Sequence, residues 1–555
     1  VAKGLKRRVA HATASLNGGN RSRRLFTRFA VRAGFLHESI MPVAELAVEP
    51  DVAVLMDADQ LQKENASRWA IERRDRPRNF DAWLRQSGSA APLPRTDSQL
   101  PVLVVGAGPA GMAAMIALRD AGVDFEGLEY HSHVGGIWDQ SNPLSSVYDS
   151  LTTNTSRYTT HLGTAMPSQW PDYPNHSQAR GYLQRCAEES GILPQIRFLT
   201  SFEGAVKTDR QTWTAALRSV GEHKSEPRDY RAIIFATGLH NKKNRVFPEP
   251  LHTQAVAGGL DVMHSSDYRN PARFADKRVL VVGLGVSGTD IANEVSRVAA
   301  RTLIAFRSVP WIVPLNVFGR PGDVAAIGPT SWLPFWVQRE SFRVIRAMTI
   351  GHPRGVGLPA PSDRLWDQFA LSDRGIVEAL KSKRVLLRTG VTSFKDGAAT
   401  FADVDQSPEP IDAVIFATGY ERKYPLLEGA VPPGRTLCDT LPFLIFHPTD
   451  PSLAYLSETI SPCGCWPVFL QQGRAIAAFF AAEQRGDRRA NEFNALRLLP
   501  SPDVKRNWYR KADGFHVHVG TYLRTLNKLA AWFSDSRLAS GRPAGTDRRT
   551  QTQAS

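Results

Sequence analysis

Cysteine is scarce in this chain: four in 555 residues, none spaced as CxxC. That excludes a disulfide-built scaffold and argues against a dithiol relay, so a reducing, cytoplasmic setting is expected. Cys463-Gly464-Cys465 reads as a turn. Long apolar runs are also missing. The longest candidate, 475–482, falls well short of the roughly 18 residues a spanning helix needs, so no transmembrane segment is expected. Acids are absent before Glu38, where nine basic residues account for most of the net charge of +14 and leave +5 for the rest. A localised arm of that kind is a weak argument for nucleic acid, and no nucleic-acid partner is expected. His516-Val517-His518 has no further ligand cluster around it, so no metal is expected either.

The basic arm admits several readings. Ser22-Arg23-Arg24-Leu25-Phe26 resembles a twin-arginine export signal, although Arg32, His37 and Glu38 interrupt any apolar core. An Arg-rich, acid-poor start also fits a transit peptide, and Val1 with the later Met41 fits a non-standard start. Disorder is the plainest reading.

Against these absences stand two glycine fingerprints. Gly106-Ala107-Gly108-Pro109-Ala110-Gly111 follows Val102-Leu103-Val104-Val105, and Gly283-Leu284-Gly285-Val286-Ser287-Gly288 follows Val279-Leu280-Val281-Val282. Each is GxGxxG between an apolar strand and a helix. The first glycine makes the turn, the second admits a pyrophosphate and the third lets helix and strand pack. One such motif is weak evidence; two in one chain imply two dinucleotides and a hydride passed between them.

The fingerprints differ downstream. After the first, a helix over 110–121 and a strand over 123–130 place Glu129 at the distance of a ribose-binding acid. After the second, a helix over 289–300 and a strand over 302–306 lead to Arg307 and Ser308. Arginine can pair with a 2′-phosphate that an acid would repel. The first site therefore reads as FAD or NAD and the second as NADPH. Ile233-Ile234-Phe235-Ala236-Thr237-Gly238 and Val414-Ile415-Phe416-Ala417-Thr418-Gly419 bracket the second fingerprint and suggest one domain inserted in another.

These residues resemble the flavin-containing monooxygenase family, in its bacterial form. Glu129 followed by Gly135-Gly136-Ile137-Trp138 looks like the family's acid and Gly-Gly-x-Trp. Tyr148 to Asn154 is similar to its Tyr…Thr-Asn segment, and Asp172-Tyr173-Pro174 to a following Tyr-Pro run. His264 and Tyr268 resemble the end of FxGxxxHxxxY, with Gly258 and Leu260 departing from its start. Phe416-Ala417-Thr418-Gly419-Tyr420 matches FATGY, and 467–474 retains Gln472 and Arg474 but has Leu470 at an acid position.

The resemblance implies an α/β fold of two Rossmann-like domains, an FAD domain with an inserted NADP domain. The expected boundaries are a basic, disordered extension over 1–99 with a helical segment near 60–85, removable through residue 85, and FAD domain over 100–255. The NADPH domain follows over 256–408, then the second FAD part with C-terminal helices over 409–535, and a polar tail over 536–555. The implied cofactor contacts are Gly106, Gly108, Pro109, Ala110, Gly111, Glu129, Gly136, Trp138, Thr153, Asn154 and Gln472 for FAD. For NADPH they are Gly283, Gly285, Ser287, Gly288, Arg307, Ser308, His264 and Tyr268.

The implied reaction is that of N,N-dimethylaniline monooxygenases. NADPH reduces FAD, O₂ adds as a C4a-hydroperoxide, and a small-molecule amine or sulfide takes the distal oxygen. Asn154 matches the active-site asparagine, whose amide can donate and accept; an Asx turn capping a helix is its alternative role. Baeyer–Villiger oxidation of ketones, an NADPH oxidase or reductase, and a degenerate flavoprotein binding module remain open. Besides O₂ and substrate, a second copy of the chain is an open partner.

Overall fold

Two five-stranded parallel sheets are built by one chain, the second nested in sequence within the first. The computed structural model describes residues 77–86, 88, 92–93, 99–327, 335–361, 365, 370–402, 407–427, 441–456, 459, 461, 464–502 and 517–534, all in the unit Asn65–Ser555. The twin-arginine arm and the polar tail lie outside the described residues.

The first lobe begins with α1 (Phe80–Leu84). There follow β1 (Val102–Val105), α2 (Pro109–Asp120), β2 (Phe125–Leu128), α3 (His176–Glu189) and β3 (Ile196–Arg197). An antiparallel trio, β4 (Thr200–Lys207), β5 (Trp213–Ser219) and β6 (Glu226–Tyr230), leads back to β7 (Ala232–Phe235).

The second lobe opens with α4 (Leu251–Ala257), β8 (Asp261–His264), β9 (Arg278–Val282), α5 (Val286–Val295) and β10 (Arg301–Phe306). An excursion carries β11 (Ile312–Pro314), β12 (Asn316–Val317), β13 (Arg320–Pro321), α6 (Gly322–Ile327), α7 (Phe335–Ile350) and β14 (Leu371–Asp373). Then come α8 (Ile376–Lys381), β15 (Val385–Thr389), a second antiparallel trio β16 (Val391–Lys395), β17 (Ala398–Phe401) and β18 (Glu409–Pro410), and β19 (Ala413–Phe416). The chain returns to the first lobe through β20 (Leu453–Tyr455), α9 (Trp466–Gln484), α10 (Arg488–Leu496) and α11 (Val519–Ser534).

The sheets repeat one another. Their orders are β20-β7-β1-β2-β3 and β8-β19-β9-β10-β15. In both, the fingerprint strand lies between the strand that follows its helix and the strand ending in Ala-Thr-Gly. Both faces of the second sheet are covered. Val279, Val281, Ile304 and Ile415 feed one apolar cluster, while Leu280, Leu303, Ala305 and Val414 feed the other. This is why such strands read as continuous apolar runs rather than alternating ones.

Three boundaries differ from the expectation, the first being that the second lobe opens with α4 at 251 rather than at 256, because α4 packs on β8 and β16. The second lobe reaches past 408, because β19 pairs with β8 and β9 through its whole length. Its apolar run is needed to complete both faces of that sheet. The extension over 1–99 is also more than a disordered arm. Phe80 and Trp83, three apart on α1, are buried in the first lobe's core against Phe443, Phe493 and Trp532. Helix α5 starts at 286, three residues before the expected 289, because it opens directly on the glycine turn.

Helix α9 lies along α2. A Cβ on Gly473 would come 2.8 Å from the Ala113 carbonyl oxygen, so only glycine permits that approach.

Candidate dinucleotide cradles and the loop between them

The two fingerprints form the same turn. Gly106 has φ +103° and Gly283 has φ +122°, in the region that favours glycine. A Cβ on either would meet the alanine carbonyl of its own Ala-Thr-Gly, Ala236 at 2.6 Å and Ala417 at 2.4 Å. A Cβ on Gly111 would lie 1.7 Å from the Gly106 carbonyl oxygen, and one on Gly288 would lie 1.9 Å from that of Gly283. First and third glycines are thus demanded by the protein itself.

The middle glycines are different. A Cβ on Gly285 meets no atom within 4 Å, and one on Gly108 meets only Gly136, nearest at 3.6 Å. Nothing in the protein requires glycine there. The space in front of α2 and α5 is the cradle that a pyrophosphate fills, facing the unpaired N–H groups of a helix start. The residues therefore fit a dinucleotide at each site. Gly136, at φ +57°, closes against Gly108, and Trp138 beside it packs edge-on to Trp466 at the start of α9. Pro109 and Ala110 form the first turn of α2, and Ser287 that of α5.

Glu129 is buried just past β2. Its carboxylate accepts the Ala107 N–H at 2.7 Å and the His131 N–H at 2.9 Å. Burial pushes its pKa up, and the backbone hydrogen bonds pull against that rise by favouring the anion. The carboxylate is therefore fixed to the fingerprint turn.

The backbone shows what stands in its place at the second site. The Gly106 N–H donates to Leu128 O, and the Gly283 N–H to Ala305 O, both at 2.8 Å. Glu129 thus corresponds to Phe306, a buried apolar residue, and Arg307 comes one position later. At that position the second cradle carries no acid. Arg307 and Ser308 are exposed at the carboxyl end of β10, next to the turn.

Other expected contacts are engaged by protein. His264 is buried; its Nδ1 accepts the Ser266 N–H at 3.1 Å, leaving Nε2 to donate to Gly419 O at 3.2 Å. Burial pushes its pKa down to about 4, so the ring is neutral. Tyr268 is fully buried and donates its hydroxyl to Glu294 at 2.7 Å. Gln472, also fully buried, donates to Thr459 Oγ1 at 2.7 Å and to the Tyr522 hydroxyl at 2.9 Å. These three tie elements together within their lobes.

Asn154 is exposed, on a loop that caps no helix; the next helix, α3, is capped by Asn175. Thr153 is buried and its N–H donates to Pro174 O at 2.8 Å. The second lobe grips this loop from both sides. Tyr148 donates to Asp290 at 2.8 Å, Arg374 donates to Thr152 Oγ1 and Thr153 O, and Asp323 Oδ2 accepts from the Ser156 N–H at 2.8 Å. Tyr173 adds a bond to Leu315 O at 2.6 Å. Beyond it, Gly464 approaches so closely that a Cβ would lie 2.0 Å from the Thr159 carbonyl oxygen. Asp290, Asp323, Arg374 and Gly464 carry no motif, and only the spatial meeting of distant segments reveals them.

His131, His133 and Asp139 hold ligand-type atoms within 4.8 Å of one another. Arg180 Nε already holds the same Asp139 oxygen at 3.0 Å, and Ser141 takes the other. The group is a buried acid paired with Arg180, with the two histidines beside it, and burial lowers the pKa of His131. No helix among the described residues is long and apolar enough to cross a membrane.

The chain is similar in sequence and fold to known proteins. The chain is 30% identical over 374 residues to the human protein named putative dimethylaniline monooxygenase 6, N-oxide-forming, covering 64% of this chain and 67% of that one. Its fold resembles S-allyl-L-cysteine S-oxygenase from Allium sativum, with a TM-score of 0.51, 19% identity and coverage of 78% and 88%. It also resembles cyclohexanone monooxygenase, with a TM-score of 0.56, 15% identity and coverage of 80% and 98%. A family model, flavin-binding monooxygenase-like, matches residues 100–433. With both cradles and the intervening loop in place, the chain belongs to the flavin-binding monooxygenase-like family.

Proposed function

We propose that this flavin monooxygenase uses FAD in the first cradle and NADPH in the second, and places one oxygen atom on a small soft nucleophile, an amine nitrogen or a sulfide sulfur. When bound and reduced, the flavin supplies the activated oxygen. The chain's own residues hold, orient and exclude water. Gly106, Gly108, Gly111 and the start of α2 hold one pyrophosphate, with Glu129 anchored beside it to meet a ribose hydroxyl. Gly283, Gly285, Gly288 and the start of α5 hold the other.

The observation that carries the choice of substrate is the loop around Asn154. It presents a neutral amide, which can donate or accept but brings no charge to the reacting atoms. Arg374, the cation that reaches this loop from the second lobe, donates both terminal nitrogens to Thr152 and Thr153. Ketone insertion calls for a cation at the reacting oxygen, whereas transfer to nitrogen or sulfur does not. The relative named N-oxide-forming supports the same direction. A tertiary amine, an aryl methyl sulfide and a cyclic ketone offered side by side should give N-oxide or sulfoxide. Lactone from the ketone alone would overturn this reading and favour Baeyer–Villiger chemistry, with Arg374 released to supply the charge.

Preference for NADPH follows from Phe306 standing where Glu129 stands in the first lobe, with Arg307 next to it. Arg307→Ala is expected to raise the KM for NADPH about tenfold, the size of one lost charge-assisted contact, and to leave that for NADH unchanged. Equal effects on both would show that Arg307 does not meet the 2′-phosphate.

A further inference from the structure

Asn154 belongs to the first lobe by sequence, yet the side chains that fix its loop belong to the second. Arg374 is the most direct. Its guanidinium donates to Thr152 Oγ1 and to Thr153 O, the two residues immediately before Asn154. Its side chain is only 15% exposed, and its Nε lies 3.9 Å from Asp290 Oδ2.

Arg374 is itself held from the fingerprint helix of the second lobe. Asn293, on α5, donates Nδ2 to the Arg374 carbonyl oxygen at 3.1 Å. The neighbouring Gly375, at φ +106°, lies so close that a Cβ would come 2.8 Å from that same Nδ2. Asp373 then starts α8, accepting the Gly375 N–H at 3.0 Å and the Val377 N–H at 3.2 Å. A continuous set of contacts therefore runs from α5, whose start forms the second cradle, through Asn293 and Arg374 to the residue before Asn154. Asp290, on the same helix, closes a second contact to the loop at Tyr148.

We infer that Arg374 is a positioning residue that makes the placement of the Asn154 amide depend on occupancy of the second cradle. This rests on the reading of Asn154 given above. A guanidinium pairing with two acceptors in fixed directions conveys position as well as energy, which a flexible point charge does not. Dinucleotide binding at the start of α5 orders the helix that holds Arg374, and the order passes to Thr152 and Thr153. Loss of the guanidinium leaves both cradles intact and loosens the loop at Thr152 and Thr153, while Asp290 and Asp323 still hold it at Tyr148 and Ser156.

The experiment uses the FAD-loaded full chain with two readouts. Hydrogen exchange of peptides covering 148–160 is measured with and without NADP⁺. Release of H₂O₂ is measured with NADPH and O₂ and no organic substrate, where NADPH, O₂ and a proton give NADP⁺ and H₂O₂. NADP⁺ is expected to slow exchange at 148–160 in the parent protein and to slow it markedly less in Arg374→Ala, where the Tyr148–Asp290 contact remains. Peroxide release should rise at least fivefold in Arg374→Ala with the NADPH KM within twofold, and Arg374→Lys, whose ammonium does not pair with both acceptors in fixed directions, should recover less than half of the difference. Thr152→Val removes one acceptor without altering the second lobe and should leak in the same direction, which covers the case in which Arg374→Ala fails to fold.

Asn154→Ala and the double variant separate the two ideas. If Arg374 acts through Asn154, Asn154→Ala leaks and the double variant leaks no more than it does. A leak in Asn154→Ala with none in Arg374→Ala or Thr152→Val would overturn the inference and leave the role of Asn154 standing. Additive leaks would show that Arg374 acts elsewhere and would also overturn it. No leak in Asn154→Ala would remove the role of Asn154, and the inference with it.

Discussion

Gly285→Ala is expected to raise the KM for NADPH at least tenfold while the protein folds, stays yellow and remains reducible by dithionite. The residue caps α5 in an extended conformation that any residue adopts, and a Cβ there meets no protein atom within 4 Å. Stability should fall by about 1 kcal/mol or less, because alanine caps a helix less well than glycine but also restricts the unfolded chain. A methyl group in the path of the pyrophosphate can therefore act only on the ligand, and a tenfold loss corresponds to about 1.4 kcal/mol of binding. Gly108→Ala should do the same at the first site, giving a folded chain with little bound FAD, because its Cβ makes only an ordinary 3.6 Å contact with Gly136. Gly288→Ala is the contrasting variant. Its Cβ would sit 1.9 Å from the Gly283 carbonyl oxygen, so the turn itself must give way and stability falls with binding. An unchanged NADPH KM in Gly285→Ala would show that no pyrophosphate passes over that turn.

This difference between glycines also marks what could be read from the amino-acid sequence. Local signals were legible: both strand–turn–helix units form as the motifs imply, since each is fixed by residues within a few positions. Nested insertion was legible too, because the paired Ala-Thr-Gly strands each return to the fingerprint strand of their own lobe. The partition of strands was less so. A run such as Ala413–Phe416 is apolar throughout, and nothing in it tells which of two similar sheets it completes.

Side-chain roles were the least legible. His264 and Tyr268 carry a motif, yet their polar atoms are spent on Gly419 and Glu294 inside the second lobe. Arg374 and Asp323 carry none, yet they hold the loop that bears Asn154. Tyr268 and Glu294 are 26 positions apart, and the partners in the other pairs lie 155 to 221 apart, as with His264 and Gly419 or Arg374 and Thr153. Short motifs encode backbone turns well because the constraint is local; they encode side-chain partners poorly because the partner is elsewhere.

The segment before the first strand gives the second large effect. Trp83→Ala is expected to destabilise the chain by about 3–5 kcal/mol, the range for removing a large aromatic from a core. Trp83 has no exposed surface, its ring stands edge-on to Phe443 at 4.9 Å, and Phe493 and Trp532 lie within 6.5 Å. Those three belong to segments that close the first lobe after the chain has returned from the second. The short helix α1, started by Asn79 accepting the Ala82 N–H at 2.9 Å, therefore pins the beginning of the described chain to its end. Trp83→Phe should cost less, since it keeps an aromatic ring and discards an indole N–H that has no hydrogen-bond partner among the described residues. Two truncations sharpen the comparison: removal of residues 1–64 leaves α1 in place, whereas removal through residue 85 strips Phe80 and Trp83 from the core. The longer deletion should lower the unfolding midpoint and FAD content together, because α10 and α11 pack on α9, and α9 lies along the fingerprint helix α2. Equal midpoints for the two truncated chains would show that Trp83 fills its cavity without contributing to the fold.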